Sequence, residues 1–304
     1  MKIVFFANGK FALNPLKAIY NSSYNLAAVV TNVAKPAGRK KNLKLTSIGK
    51  YSENNKINVI YAESLKSKSF INNLKSLNAD IFIIVSYRIL PAEVFNLPKV
   101  GSINIHASFL PEYPGASPIQ YSIINNEKYL GLTSFFLNDK IDKGDIIKRV
   151  KIPIDDKITY GEAHDLLSKL SSNFLLETIS GINNTKPLKQ QSTKKKYAKK
   201  ISSDMYKISI DSSSKKVHNF FRGLTPPGPY IYFSKKRVKL FDTYFSSNSY
   251  GLTDIGMFTI INNILYIKCK KGTLSSKLIQ FEGKKVIKAM DFNNMNLDPN
   301  NKFE

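Results

Sequence analysis

One cysteine, no tryptophan and no long apolar run set the first limits on this 304-residue chain. The single thiol, Cys269, excludes an internal disulfide and a cysteine-built metal cluster. No stretch approaches the roughly 20 apolar residues of a membrane-spanning helix. The apolar segment at Ile3 to Ala7 is too short and wrongly flanked for a signal peptide. No Gly-x-Gly-x-x-Gly follows the first expected strand, and no Gly-Lys-Ser/Thr phosphate loop occurs, so a dinucleotide or nucleoside triphosphate site has no support. Acidic residues are scarce: 22 stand against 46 Lys and Arg, for a net charge of +24. Such a balance favours a polyanionic partner, because neutralisation of phosphates by Lys and Arg dominates nucleic-acid binding. An AT-biased coding sequence would raise lysine everywhere, so the distribution is more informative than the total. Residues 186–304 carry 23 basic and 8 acidic residues, net +15, whereas residues 1–185 carry 23 and 14, net +9.

The length allows about two domains. Lys2 to Ala7 and Leu26 to Thr31 read as strands, with Leu13, Leu16 and Ile19 on a helix between them. Ile81 to Val85 is a continuous apolar run, the pattern of a central parallel strand covered on both faces. Strands alternating with helices in this way predict an α/β domain with a Rossmann-like, mostly parallel sheet over residues 1–185. A short helix is expected from Pro118 to Asn125, and strands at Leu132 to Leu137 and Ile146 to Ile154. A helix from Gly161 to Ile179 follows, with Ala163, Leu166, Leu167, Leu170, Phe174 and Leu175 on its apolar stripe. Lys35 to Lys44 reads as a basic loop. Seven lysines between Lys186 and Lys200 mark a basic linker, taken as residues 186–204. In residues 205–304, a helix bearing Val217, Phe220, Phe221 and Leu224 precedes several short strand-like segments, which predict a small β-barrel. His164, His218 and Cys269 read as packing residues.

Ser102 to His106 alternates polar with apolar residues, so in a strand Asn104 and His106 share one face and Ile103 and Ile105 the other. The carboxyl end of such a strand is where open α/β sheets bind ligands. With Asp142, these residues make a poor transition-metal site and contain no good nucleophile. They do supply a hydrogen-bond donor, a titratable base and a charge to orient it, a set suited to acyl transfer to an external amine. Asn104 and His106 would equally serve as a satisfied polar pair, and Asp142 as a loop-shaping residue.

The runs Asn104-Ile105-His106-Ala107-Ser108-Phe109-Leu110-Pro111, Gly115-Ala116-Ser117-Pro118-Ile119 and Ile141-Asp142-Lys143-Gly144-Asp145 resemble the hallmark of the folate-dependent formyltransferases. Pro36-Ala37-Gly38-Arg39 followed by lysines resembles the loop by which members of that family engage a tRNA acceptor stem. Arg222-Gly223-Leu224-Thr225-Pro226 and Phe281-Glu282-Gly283-Lys284-Lys285 resemble their carboxy-terminal domain, an OB-like barrel. The likeness runs from Lys2 to about Phe292. It implies a cytoplasmic, monomeric, metal-independent enzyme that transfers a formyl group from 10-formyltetrahydrofolate to the α-amino group of initiator methionyl-tRNA. It also implies catalytic roles for Asn104, His106 and Asp142. Folate contacts are implied for Ser108, Phe109, Leu110 and Pro111, and a pterin-side wall for Arg88, Ile89 and Leu90. Contact with tRNA falls to Arg39, Lys40 and Lys41. Pro114, Glu112 and Lys143 depart from the family pattern, the first two by reducing positive charge beside the active loop, without removing a group the mechanism needs. A formyltetrahydrofolate hydrolase, a sugar formyltransferase and a non-catalytic RNA-binding relative are the rival readings. The basic loop and basic second domain weigh against the first two.

Overall fold

Apolar runs in the first half of the chain become the inner strands of one sheet. The computed structural model describes residues 1–37, 42–191, 197–294 and 301–304. Among the described residues nine strands fall in the first part: β1 (Lys2–Ala7), β2 (Asn25–Asn32), β3 (Lys35–Ala37), β4 (Asn42–Lys44), β5 (Val59–Ala62), β6 (Ile81–Val85), β7 (Gly101–His106), β8 (Tyr129–Phe136) and β9 (Ile146–Pro153). Helices α1 (Leu13–Tyr20), α2 (Ser47–Asn54), α3 (Lys68–Ser76), α4 (Ala92–Phe95), α5 (Pro118–Ile124) and α6 (Tyr160–Ser180) lie between or after them. By its contacts the chain divides into two compact units, one of residues 1–118, 130–152 and 164–198, the other of residues 119–129, 153–163 and 199–304.

In the first unit the sheet order is β5-β2-β1-β6-β7-β8-β9. β5, β2, β1, β6 and β7 pair in parallel and β8 runs antiparallel to β7. Every residue of β6 is buried, as its unbroken apolar sequence requires. β9, on the edge, carries Lys148, Arg149 and Lys151, charges that discourage pairing with another chain. The core on one side of the sheet joins Val4, Phe6, Val30, Phe82 and Ile84 to Phe70, Leu74 and Val94 from the helices.

The single-turn α4 was not expected, nor were strand β5 and two longer helices, α2 and α3. Each of the longer two is started by a side-chain cap, Thr46 accepting from the Gly49 N–H and Ser67 from the Phe70 N–H. Their apolar stripes are thin; α3 buries only Phe70 and Leu74. The flanks of the expected basic loop instead form an antiparallel ladder, with Lys35 opposite Lys44 and Ala37 opposite Asn42. Arg39, Lys40 and Lys41 lie outside the described residues.

α6 begins with a reciprocal cap. Thr159 N–H donates to the Glu162 carboxylate at 2.8 Å, and Glu162 N–H donates to Thr159 Oγ1 at 3.4 Å. Its buried stripe passes through Ala163, Leu167, Ser171, Phe174, Leu175 and Thr178. Leu170, expected on that stripe, is 42% exposed. The stripe is centred on a line that includes two small hydroxyl residues, which leaves Leu170 roughly 80° from its middle at about 100° per residue.

The second unit contains α7 (Ser214–Gly223), β10 (Ile231–Phe233), β11 (Lys236–Ser246), β12 (Phe258–Ile261), β13 (Ile264–Lys268), β14 (Thr273–Phe281) and β15 (Ile287–Lys288). The strands form an antiparallel sheet in the order β10-β11-β14-β13-β12, with β15 on β14, curled into a half-barrel. Val217, Phe221 and Leu224 of the helical segment pack with Phe233, Leu240, Ile267, Ile279 and Phe292. Cys269 is buried in the same core, and burial pushes its thiol up to about 11. His218 is buried too, with Nδ1 2.9 Å from Thr243 Oγ1 and Nε2 2.8 Å from the Asp156 carbonyl. Arg222, only 3% exposed, donates from Nε to Asn219 Oδ1 at 2.9 Å and turns the rest of its guanidinium toward the carbonyls of Asp155, Ile158 and Ile123.

Candidate active site

β7 carries the first two groups. Its alternation locks Ile103 and Ile105 into the core, at 0% and 3% exposure, and turns Asn104 and His106 to the opposite face. In the sheet Asn104 lies between Ile84 of β6 and Phe135 of β8, and His106 opposite Thr133. The Asn104 carboxamide makes no hydrogen bond among the described residues. It is half-buried and retains both donors and an acceptor.

Two loops converge on the His106 ring. Tyr113, in the left-handed backbone region at φ 53°, places its carbonyl oxygen 3.2 Å from Nε2. A carbonyl only accepts, so this bond requires the proton on Nε2. Nδ1 is then the nitrogen left to take a proton, and Asp142 Oδ2 lies 4.0 Å from it. That separation is beyond hydrogen-bond length and within the range of an ion pair once the ring is charged. Both side chains are about nine-tenths buried, at 10% and 11% exposure, so the field between them is weakly screened. Asp142 is itself fixed. It takes the left-handed conformation at φ 52°, and its Oδ2 accepts the Gly115 N–H at 2.7 Å. Gly144 lies in the same loop, where a Cβ would overlap the Phe136 carbonyl oxygen.

The strip after β7 is pinned from β8. Thr133 Oγ1 donates to the Ser108 carbonyl at 2.6 Å and accepts the Leu110 N–H at 3.0 Å, while the Ser108 hydroxyl donates to the Glu112 carbonyl at 2.6 Å. Ser108 and Leu110 therefore face inward; Leu110 packs on Phe135 and Ile146. Phe109 and Pro111 are half-buried. Arg149 of β9 donates to the Leu110 carbonyl at 2.7 Å and lays its guanidinium 4.3 Å from the centre of the Phe109 ring, with Lys151 Nζ 4.8 Å from the same centre. The segment expected as a wall does not present one surface. Leu90 is in the core, Ile89 is 73% exposed, and the Arg88 guanidinium donates to the carbonyls of Ala62 and Glu63 at 2.7 and 3.0 Å.

Sequence reasoning missed the Tyr113 carbonyl, the Gly115 N–H and Arg149. The first two are backbone groups, which residue types do not reveal. Arg149 stood in an edge strand where a basic residue has an ordinary explanation.

A buried imidazole facing a carboxylate, beside a free carboxamide on the same strand, is a device for moving a proton while donating to a developing negative charge. Among the described residues no hydroxyl or thiol is hydrogen-bonded to the imidazole, an arrangement that suits group transfer between two bound substrates. Residues 1–179 match the family described as Formyl transferase, and residues 200–297 match Formyl transferase, C-terminal domain. The chain belongs to the formyl transferase family and is a formyltransferase. Among its relatives are methionyl-tRNA formyltransferases. That of Lachnospira eligens is 32% identical over 96% of each chain, and that of Thermodesulfovibrio yellowstonii is 36% identical over 95% of this chain and 94% of its own. Solved structures share the fold. WlaRD, a sugar 3N-formyl transferase solved with dTDP and 5-N-formyl-THF, superposes with a TM-score of 0.68 at 22% identity, covering 94% of this chain and 99% of its own. HypX from Aquifex aeolicus, in complex with tetrahydrofolic acid, gives 0.63 at 15% identity, covering 95% of this chain and 45% of its own.

Proposed function

We propose that the protein transfers a formyl group from 10-formyltetrahydrofolate to the α-amino group of initiator methionyl-tRNA, yielding formylmethionyl-tRNA for translation initiation. The observation that carries this reading is the convergence of His106 and Asp142 beside Asn104. Similarity to methionyl-tRNA formyltransferases over nearly the whole chain supports the choice of acceptor. The folate supplies the formyl group. Half-buried Phe109 and exposed Ile89 offer apolar surface suited to a flat ring system, and the free amide of Asn104 suits a carbonyl oxygen.

The roles divide by chemistry. As the amine attacks, the Asn104 amide donates to the charge that builds on the formyl oxygen. His106 accepts the proton leaving the amine at Nδ1, and Asp142 stabilises the imidazolium that forms; as the adduct collapses, the bond between the formyl carbon and the folate nitrogen breaks and the imidazolium returns the proton to that nitrogen, releasing tetrahydrofolate. Residues 1–185 form the catalytic domain, 186–204 a basic linker and 205–304 an OB-like domain that binds tRNA. Arg39, Lys40 and Lys41 add a second contact to the tRNA. The enzyme works as a cytoplasmic monomer.

The test is to incubate the protein with 10-formyltetrahydrofolate and charged initiator tRNA and identify the product. Formylmethionyl-tRNA is expected; free formate, or no reaction, refutes the assignment. Asn104→Ala should slow single-turnover formylation by about 10²- to 10³-fold, the usual cost of losing one oxyanion donor. Near-normal turnover by that variant refutes its role.

A further inference from the structure

The lysine-rich segment after α6 reads in sequence as a solvated connection, yet its beginning is built into the loop that holds Asp142. Leu188 and Ile146 exchange both backbone hydrogen bonds, each at 2.8 Å, directly after that loop. Two residues on, the Gln190 carboxamide donates from Nε2 to the carbonyls of Asp142, at 3.0 Å, and Gly144, at 2.8 Å. Its Oε1 is buried and has no hydrogen-bond partner among the described residues, so the side chain is held there by its donors. Further along, Ala198 N–H donates to the Pro114 carbonyl at 2.7 Å and its own carbonyl accepts from Ser117 N–H at 3.2 Å. Between these two bonds lies Gly115, whose N–H holds the Asp142 carboxylate. One segment thus grips both loops that meet at Asp142.

We propose that Gln190 is a positioning residue for the transfer: it fixes the backbone on either side of Lys143 and so sets the Asp142 carboxylate against His106. This rests on the catalytic roles proposed above. Asp142 holds a left-handed backbone conformation, which Asp adopts more readily than most non-glycine residues, and its loop lies outside the strands, so hydrogen bonds to its carbonyls restrain that geometry. A single amide donating to two carbonyls of the loop supplies that restraint. Neither carbonyl lies in a strand, and among the described residues the amide bonds neither His106 nor Asn104.

The test is a mutant cycle on the full chain, with single-turnover formylation, steady-state kinetics and thermal unfolding measured together. Gln190→Leu should lower kcat by about 10²-fold, the cost of a misplacement near 1 Å, while changing the KM for either substrate less than about twofold. In an Asp142→Asn background the same change should cost less than about 3-fold, because the two residues act through one element. Gln190→Lys, which keeps donors for the two carbonyls, should recover most of the loss. Gln190→Glu, which is nearly isosteric but has none, should not. Should Gln190→Leu fail to fold, the last pair reads the same difference. A Gln190→Leu enzyme with normal kcat and merely lowered melting temperature, or an equal loss in both backgrounds, overturns the positioning role alone. Normal turnover by Asp142→Asn overturns the reading of the site, and the role of Gln190 with it.

Discussion

Replacing Asp142 by Asn isolates the contribution of one charge. The carboxamide is nearly isosteric, and its oxygen can still accept the Gly115 N–H that now ends on Oδ2 at 2.7 Å. What disappears is the negative charge 4.0 Å from His106 Nδ1. At an effective dielectric near 20, two unit charges at that separation attract by about 4 kcal/mol. On the proposed roles the attraction arises when the ring takes the amine proton, so it would stabilise the transition state more than the ground state. With each ~1.4 kcal/mol worth tenfold in rate, Asp142→Asn should slow the chemical step by up to about 10³-fold. The KM for tRNA and for folate should move little. Single-turnover formylation of preformed complex, monitored by acid-quenched product, reads that step directly. A rate within threefold of the parent enzyme would show that the imidazolium forms without help from Asp142, and the electrostatic account would fall.

Two further perturbations test neighbouring parts of the structure. Arg149→Ala removes both the bond to the Leu110 carbonyl and the stacking on Phe109, which together should raise the KM for the formyl donor about tenfold, at ~1.4 kcal/mol per decade, with a smaller effect on kcat. Lys in its place lacks the planar fork and should restore only part of the loss; an unchanged KM for the donor in Arg149→Ala would show that the strip is held by Thr133 alone. His218 tests the second unit. Burial holds it below its ordinary 6.5, so the unfolded chain binds the proton first as the pH falls. Its contribution to stability is therefore complete above about pH 6.5 and is lost as the pH falls through the lower folded value. His218→Gln should flatten the urea midpoint between about pH 7 and 5; parallel curves for parent and variant would refute the assignment.

What could be read from the sequence was what local pattern determines. The unbroken apolar run Ile81–Val85 had to be an inner strand, and the alternation of Ser102 to His106 fixed which side chains share a face. Both are seen. α7 ends at Gly223, just before the Thr225-Pro226-Pro227 run, whose prolines cannot continue a helix. The short helices α2 and α3 escaped notice because caps, more than apolar periodicity, define them. The basic run at Lys35 to Lys44 concealed a strand pair because its side chains gave no hydrophobic alternation. Within the site, Asn104, His106 and Asp142 were visible as residue types that can do chemistry. Their supports were less so, since a Tyr113 carbonyl and a Gly115 N–H depend on backbone conformation, and Gln190 sits among lysines that suggest only solvent.

Gly115 shows how tightly these supports are coupled. Its φ of +117° lies in a region that side chains rarely tolerate, and a Cβ there would come within 2.5 Å of the Ala198 carbonyl oxygen and 3.0 Å of the Tyr197 ring. The residue must turn its N–H toward the Asp142 carboxylate while its neighbours Pro114 and Ser117 bond Ala198. A larger residue would have to push the segment away or rotate the peptide, and rotating the peptide takes the N–H from Asp142. The glycine is therefore required by two contacts together. This links the Asp142 carboxylate to a stretch of chain whose lysine-rich composition suggests only solvent exposure.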